Sequence, residues 1–177
     1  MKVLLSLFLI VSSLSYGQQI KFKNALVVGQ FEKNEDRYAM ELNLVELLQQ
    51  NGYKAMPSFN VLKQGEAMVD LLNDSIRKII QSKGIDAIVV LNVRGYDRRF
   101  KASESNIPIK EMLEMSSIYH IYRDEATSVT FEFTIYDLNH QIIGRSLLKC
   151  GNVSDRDSVM KRFRKKLPKM ILKEWKS

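Results

Sequence analysis

Two continuous apolar runs constrain the fold of this chain more than any other feature. Residues 25–29 and residues 85–93 consist almost entirely of aliphatic and β-branched side chains. Strands covered by helices on both faces have this pattern, because neither face of the sheet meets water. The two runs therefore predict buried, parallel strands of an α/β domain.

The segments between these runs have helical periodicity. After the first run, apolar side chains recur at steps of three and four, which is typical of an amphipathic helix: Tyr38, Leu42, Val45 and Leu48, widened by Leu44 and Leu47. Asn34 is a suitable N-cap for this helix, and Asn51 and Gly52 are a suitable stop. A second helical stripe covers residues 66–82 and has a candidate interruption near Asn73.

A weaker strand separates the two helices. Residues 53–59 contain Pro57, which has no N–H to donate to a neighbouring strand, so this strand is short or lies at a sheet edge. The order up to residue 93 is β-α-β-α-β, which predicts right-handed crossovers between parallel strands.

The second half of the chain differs from the first. Residues 95–110 are polar and basic, whereas residues 112–122 and 128–136 are rich in β-branched and aromatic side chains and are predicted to form strands, the first of which contains His120. In the latter run Thr130, Glu132 and Thr134 alternate with apolar residues, so they face one side of a strand. A turn at residues 137–140 and a returning strand at 141–150 predict a β-hairpin.

A helix closes the chain. Ser154 and Asp157 have the spacing of a capping box, and Pro168 is expected to bend the helix. Its apolar stripe fits the surface of a sheet: Val159, Phe163, Leu167, Ile171 and Trp175. The prediction is one α/β domain at residues 18–177, of two or three layers. Its mixed sheet has a βαβαβ first half and an antiparallel hairpin, and its C-terminal helix packs on the sheet.

The first seventeen residues have the pattern of a signal peptide. Lys2 precedes an apolar run, and small residues lead to a predicted cleavage site near Gly17 and Gln18. No cysteine follows as a lipid-anchoring site, so the prediction is an exported protein, periplasmic or associated with the envelope, that is not a lipoprotein. Without Lys2, the 26 remaining Lys and Arg exceed the 20 Asp and Glu by six. Export makes nucleic acid an improbable partner for this positive charge.

The residue types argue against common catalytic chemistries. The chain has two histidines, His120 and His140, and one cysteine, Cys150, with no nucleophile elbow, metal-ligand spacing or glycine-rich phosphate loop. We therefore predict no catalytic, metal or cofactor-binding residues and no cofactor. An enzyme of unrecognised type that uses Tyr119, His120 and Asp124 stays open as an alternative.

Two basic segments are the candidate binding surfaces. The first follows the strand at 85–93, where open α/β sheets place their binding loops; its candidate partner-binding residues are Arg94, Tyr96, Arg98, Arg99 and Lys101. The second is the closing helix, whose polar face is a candidate surface for an anionic membrane or an acidic partner: Lys161, Arg162, Arg164, Lys165, Lys166, Lys169 and Lys173, with Trp175 at its end.

The order of elements resembles that of certain bacterial envelope domains. The matching features are the strand at 25–31, a helix that ends at residues 51–53, the step at 83–90 into a strand, a hairpin whose turn begins at 135–137, and a closing helix. Similar proteins are the N-terminal domain of TolB, the curli-secretion lipoprotein CsgG and the lipoprotein that activates a penicillin-binding protein. The resemblance implies a non-enzymatic accessory domain that binds other envelope proteins, and it assigns no binding residue by position.

Overall fold

A five-stranded mixed sheet organises the molecule, which is described here from a computed structural model covering residues 20–63, 66–102, 104–115 and 119–175. The predicted signal peptide and its cleavage site lie outside these residues. The strands are β1 (Asn24–Gln30), β2 (Lys54–Pro57), β3 (Ala87–Tyr96), β4 (Ser128–Asp137) and β5 (Ile142–Gly151). The helices are α1 (Asn34–Gln50), α2 (Asp74–Ser82), α3 (Ile109–Glu114) and α4 (Arg156–Met170). Two 3₁₀ turns (Ser58–Asn60 and Met68–Leu72) and a π-helix (Ile171–Trp175) complete the described elements.

The strand order confirms the predicted α/β fold. The strands lie in the order β2-β1-β3-β4-β5, with β1 parallel to both β2 and β3, and β4 antiparallel to β3 and β5. β2 lies at the edge, as predicted from Pro57. From β1 the chain passes through α1 to β2, on one side of β1 in the sheet, and from β2 it returns to β3 on the other side of β1. The order of the strands therefore reverses between β1 and β3, which is the topological switch point of the sheet.

Helices cover both faces of the sheet, so the domain has three layers. One core contains Val27 and Val89 of the sheet together with residues of α1 and α4. The other contains Leu26 and Ile88 together with residues of α2 and α3. Because consecutive strand residues point to opposite faces, each apolar run supplies both cores, which explains its lack of polar interruption.

The buried face of α1 differs from the predicted stripe. Met40, Leu44 and Leu48 are fully buried, whereas Leu42 is 52% exposed and Tyr38 packs edge-on against Phe59 at the surface. Apolar residues occur around much of this helix, so periodicity alone did not determine which face meets the sheet. The N-cap is Lys33 rather than Asn34, and no side chain caps the helix.

Two further predictions in the second half are corrected. The predicted strand at 112–122 is instead α3 followed by loop, in those positions that the structure describes. The closing helix is capped by Asp155, whose Oδ1 accepts a hydrogen bond from Ser158 N at 2.7 Å, and not by Ser154. The predicted interruption near Asn73 is confirmed, since a 3₁₀ turn ends at Leu72 and α2 begins at Asp74.

The closing helix packs on the sheet as predicted. Val159, Phe163 and Leu167 are fully buried against the face that α1 also covers. The helix continues past Pro168 to Met170 and then widens into the π-helix. Among the described residues, no helix has both the length and the apolar character needed to cross a membrane.

Candidate functional site

The basic segment after β3 is a folded loop held at several points. Gly95 has a φ of 148°, and a Cβ at this position would lie 2.6 Å from Phe100 Cζ, so the Phe100 ring covers the strand end. Asp97 has a φ of 51°, and its Oδ1 accepts hydrogen bonds from Thr127 N, Thr127 Oγ1 and Ser128 N. These contacts fix the loop to the start of β4.

The charge of Asp97 is stabilised in this position. Desolvation raises its pKa, but the hydrogen bonds from Ser128 and Thr127 and the nearby Arg123 guanidinium together hold the pKa below its usual value. The carboxylate is therefore ionised at neutral pH and belongs to the loop's own structure.

Tyr96, predicted as a partner-binding residue, mainly holds the structure of this segment together. It is 8% exposed, and its hydroxyl donates to the carbonyl of His120 at 2.6 Å. The Arg123 guanidinium stacks over its ring, and Tyr119 meets the ring edge-on. Tyr96 thus holds the segment around residue 120 against the end of β3 and presents little surface to a partner.

The four basic candidates of this segment are exposed: Arg94, Arg98, Arg99 and Lys101. Arg94 lies 3.8 Å from the buried carboxylate of Glu132, so part of its charge is compensated. Among the described residues, no carboxylate lies within ion-pair distance of Arg98, Arg99 or Lys101.

The structure brings this loop together with the closing helix through a residue that sequence reasoning missed. Lys149, on edge strand β5, has its Nζ 3.5 Å from the carbonyl oxygen of Arg98. Its own carbonyl accepts a hydrogen bond of 2.8 Å from Lys166 Nζ on α4. Arg98, Lys149 and Lys166 therefore form one surface, here called the basic edge strip, which wraps around the open side of the sheet.

The remaining charges of α4 have different roles. Arg162 and Lys169 stand four residues before and three residues after Lys166, so helical spacing places them on the flank that borders β5. Arg164 lies on the other side, where its guanidinium makes two hydrogen bonds of 2.7 and 2.8 Å to Glu46 of α1. Arg164 therefore stabilises the contact between two helices and is not free for a ligand, whereas Lys161, Lys165 and Lys173 are exposed.

Trp175 does not belong to the candidate membrane surface. It is 2% exposed, and its indole Nε1 donates to Ser146 Oγ at 2.8 Å. The hydroxyl of Tyr53 donates to its carbonyl oxygen at 2.8 Å, and the Phe22 and Phe133 rings pack edge-on against it. Its apolar area completes the core because the π-helix turns the side chain toward the sheet.

A buried carboxylate, Glu41, also escaped the sequence reasoning. It lies on α1 and is fully buried; it accepts hydrogen bonds from Gly29 N at 2.9 Å, Ser58 N at 2.8 Å and Ser58 Oγ at 2.7 Å. Burial raises its pKa above the ordinary value, against the lowering effect of these bonds and of Arg37. The sequence hinted at this burial only by placing a charged residue between Met40 and Leu44, which are both buried. Because the predicted apolar stripe included Tyr38 and Leu42 instead of Met40, Glu41 was not recognised as buried.

Arg37 lies beside this carboxylate and lines a small crevice of about 340 Å³ at the carboxyl end of β1. Its Nε lies 3.9 Å from Glu41 Oε1, is buried, and donates no hydrogen bond to any described residue. Its guanidinium stacks over the Tyr38 ring. The long separation makes this a weak ion pair, so the hydrogen bonds from Gly29 and Ser58 are the main contacts of Glu41.

The two histidines, which were considered for catalysis, lie in a turn and in a loop. His140 lies in the hairpin turn, as predicted, whereas His120 lies in a loop rather than the expected strand. Tyr119, His120 and Asp124 line neither the crevice at Arg37 nor the larger cleft at the opposite end of the sheet.

Cys150 is buried, and burial raises the pKa of its thiol to about 12. Among the described residues, no group of three potential ligands is placed to hold a metal ion.

Comparisons with known proteins gave structural similarity only. No protein-family model matches the sequence, and no curated protein matches it significantly. Lipoprotein GNA1162 from Neisseria meningitidis is 15% identical, with a TM-score of 0.45 over 85% of this chain and 99% of that one. PelC from Paraburkholderia phytofirmans, solved as a dodecamer, is 11% identical, with a TM-score of 0.44 over 88% of this chain and 87% of that one. Similarity at these values says nothing about function, and the resemblance to TolB, CsgG and the penicillin-binding-protein activator stays a prediction.

Proposed function

We propose that this chain is an exported accessory protein of the bacterial envelope, without catalytic activity, that binds an acidic surface of another envelope protein through the basic edge strip. The support for export is the signal-peptide pattern of residues 1–17. The observation that carries the binding proposal is the convergence of Arg98, Lys149 and Lys166 on one side of the sheet.

The charge of this strip is available to a partner. Among the described residues, its three cations have no carboxylate within 4 Å, and two of them contact backbone carbonyl oxygens. Those contacts hold the side chains in place without neutralising them. A complementary acidic surface would gain mainly in association rate and specificity, and its binding would weaken as salt increases.

The strip also suits a protein partner in its position. It borders the open edge of β5, where unpaired backbone groups would otherwise attract a further strand. A lysine on an edge strand discourages such pairing. Lys149 therefore protects this edge from aggregation and leaves it accessible to a specific acidic partner. This combination supports a docking role rather than a catalytic one.

In-cell photo-crosslinking tests the proposal. A photo-crosslinking residue at Arg99, next to the strip, should capture a specific envelope protein, identified by mass spectrometry. Capture should be lost in the triple variant Arg98→Glu, Lys149→Glu, Lys166→Glu. The control Lys63→Glu, Arg77→Glu, Lys78→Glu makes the same change in net charge at exposed positions outside the strip and should retain capture.

The two variants separate the possible outcomes. Because all six side chains are exposed, both variants should fold, and the strip variant should lose only a few degrees of thermal unfolding midpoint with the two hydrogen bonds of Lys149 and Lys166. Equal capture by the strip variant and the parent would overturn the proposal, as would equal loss in both variants, which would mark a general effect of net charge.

A further inference from the structure

A second concentration of positive charge lies at the amino ends of the parallel strands, far from the basic edge strip. Four lysines line an open cleft of about 1050 Å³, here called the basal cleft: Lys21, Lys23, Lys54 and Lys83. They come from the segment before β1, the start of β2 and the turn between α2 and β3. The parallel register, which pairs Asn24 with Lys54 and Ala25 with Ala87, brings these three segments side by side.

The backbone around these lysines is fixed. Asn24 Nδ2 donates to the carbonyl oxygens of Lys83 and Gly84, both at 3.0 Å. Lys54 N donates to the carbonyl oxygen of Lys23 at 2.8 Å. Lys23, Lys54 and Lys83 are therefore carried by a preorganised rim and not by a loose tail.

Among the described residues that line the cleft, Asp86 supplies the one carboxylate, and it makes no ion pair with the lysines. Asp86 accepts hydrogen bonds from Lys23 N at 2.9 Å and from Asn24 N at 2.9 Å, so it serves the backbone at the start of β1. Among the described residues, none of the four lysine side chains has a carboxylate within ion-pair distance. In the part of the chain that the structure describes, four lysines and one carboxylate line the basal cleft, which gives it a net positive charge.

Apolar groups accompany this charge. The centroid of the Phe22 ring lies 4.7 Å from that of Tyr53 and 5.9 Å from that of Trp175. The three rings line the cleft. In the last turn before Trp175, Leu172 is 56% exposed, the most exposed of the large apolar side chains that the structure describes, and Lys173 follows it. Leu172 and Lys173 thus belong to the turn that ends at the cleft-lining Trp175. Such a combination of cations and an exposed aliphatic side chain is typical of a surface that meets anionic lipid, where charge attracts the headgroups and the apolar group enters the interface.

We infer that the basal cleft binds the phosphate headgroup of an anionic phospholipid, with Lys21, Lys23, Lys54 and Lys83 around the phosphate and Leu172 in the membrane interface. A free anion would use the lysines alone and would leave Leu172 without a role. This surface differs from the helix face proposed from sequence, because its four lysines come from the segment before β1, the start of β2 and the turn between α2 and β3.

Vesicle flotation tests the inference, with the chain as purified from cells. Vesicles of phosphatidylcholine with phosphatidylglycerol should carry the protein upward more than vesicles of phosphatidylcholine alone, and added salt should reduce the difference. The variant Lys23→Gln, Lys54→Gln, Lys83→Gln should weaken binding to the anionic vesicles by about a hundredfold, since it removes three lysines that each contribute roughly fivefold near an anionic surface. Leu172→Ser should weaken it by a smaller factor.

Matched controls locate the site. Lys63→Gln, Arg77→Gln, Lys78→Gln removes the same charge elsewhere and should bind as the parent does. Lys161→Gln, Lys165→Gln changes the outer face of α4 and should also have little effect. These point variants are preferable to a truncation of the closing helix after Pro168, which would remove the core residues Ile171 and Trp175 and unfold the protein.

Three results would overturn the inference. In the first, the three-lysine variant floats as well as the parent. In the second, the α4 variant loses binding instead. In the third, inorganic phosphate shifts the NMR signals of the basal cleft while anionic vesicles do not bind, which would make this a site for a soluble anion.

Discussion

At the scale of single residues, Glu41 is where this chain departs furthest from simple amphipathic patterning. Its carboxylate joins three elements by accepting bonds from Gly29 at the end of β1 and from Ser58 after β2. A buried acid is unfavourable unless its oxygens are satisfied, and here both are. Sequence patterning identifies apolar positions, so it cannot anticipate a buried charge whose partners lie twelve and seventeen residues away.

The raised pKa of Glu41 predicts a specific dependence of stability on pH. Because burial raises its pKa in the folded protein above the ordinary value, the folded state binds this proton more tightly than the unfolded state does. The contribution of Glu41 to stability is therefore complete below its unfolded pKa and is lost as pH rises through its folded pKa. Urea unfolding of the parent and of Glu41→Gln should show the parent losing stability relative to the variant over this range.

The matched variants test the source of this effect. Glu41→Ala should lower the free energy of unfolding by about 2–4 kcal/mol below the unfolded pKa of Glu41, because it leaves the buried amides of Gly29 and Ser58 without an acceptor, and by less as pH rises. Ser58→Ala, which removes only the hydroxyl donor, should cost about 1 kcal/mol. A difference between the parent and Glu41→Gln that stays constant with pH would contradict the assigned direction of the pKa shift.

At the scale of elements, the strands at the centre of the sheet were predictable from sequence, whereas helix faces, helix caps and the segment that forms α3 were not. The runs in β1 and β3 are short, rich in β-branched residues and apolar on both faces, which is typical of a doubly covered strand. For α1, apolar side chains surround so much of the helix that several faces compete, and contact with α4 through Arg164 and Glu46 helps to determine the result. For α3, the helix-forming residues Lys110 to Glu114 outweigh the β-branched residues near them.

The cap of α4 gives a direct test between the sequence prediction and the structure. Asp155 accepts from Ser158 N, and Ser158 Oγ donates to the carbonyl of Asp155 while it accepts from Asp155 N. Asp155→Ala should therefore lower the thermal unfolding midpoint by several degrees. Asp157→Ala, the partner predicted from capping-box spacing, retains this network and should change the midpoint much less, through loss of helix-dipole complementarity alone. Circular dichroism melts of the two variants measure the difference, and equal effects would support the sequence prediction.

At the scale of the whole molecule, the surplus positive charge is divided between two surfaces that the sheet holds apart. Arg98 follows the end of β3, and Lys83 precedes its start. Because β3 has 10 residues and each advances the chain by roughly 3.3 Å, about 30 Å separates the strip from the basal cleft. The sequence revealed both the basic loop and the basic helix, but neither the bridge at Lys149 nor the basal cleft, since each depends on strand register.

This separation predicts that the two surfaces work independently. The distance exceeds the screening length of about 8 Å at physiological salt, so removing charge from one surface should leave the other nearly unchanged. The strip variant Arg98→Glu, Lys149→Glu, Lys166→Glu should lose protein crosslinking and float with anionic vesicles as the parent does. The cleft variant Lys23→Gln, Lys54→Gln, Lys83→Gln should show the reverse, and the combined variant should lose both. If either variant lowered both readouts to the same degree, the charge would act through the molecule as a whole, and the assignment of separate roles to the two ends of the sheet would be wrong.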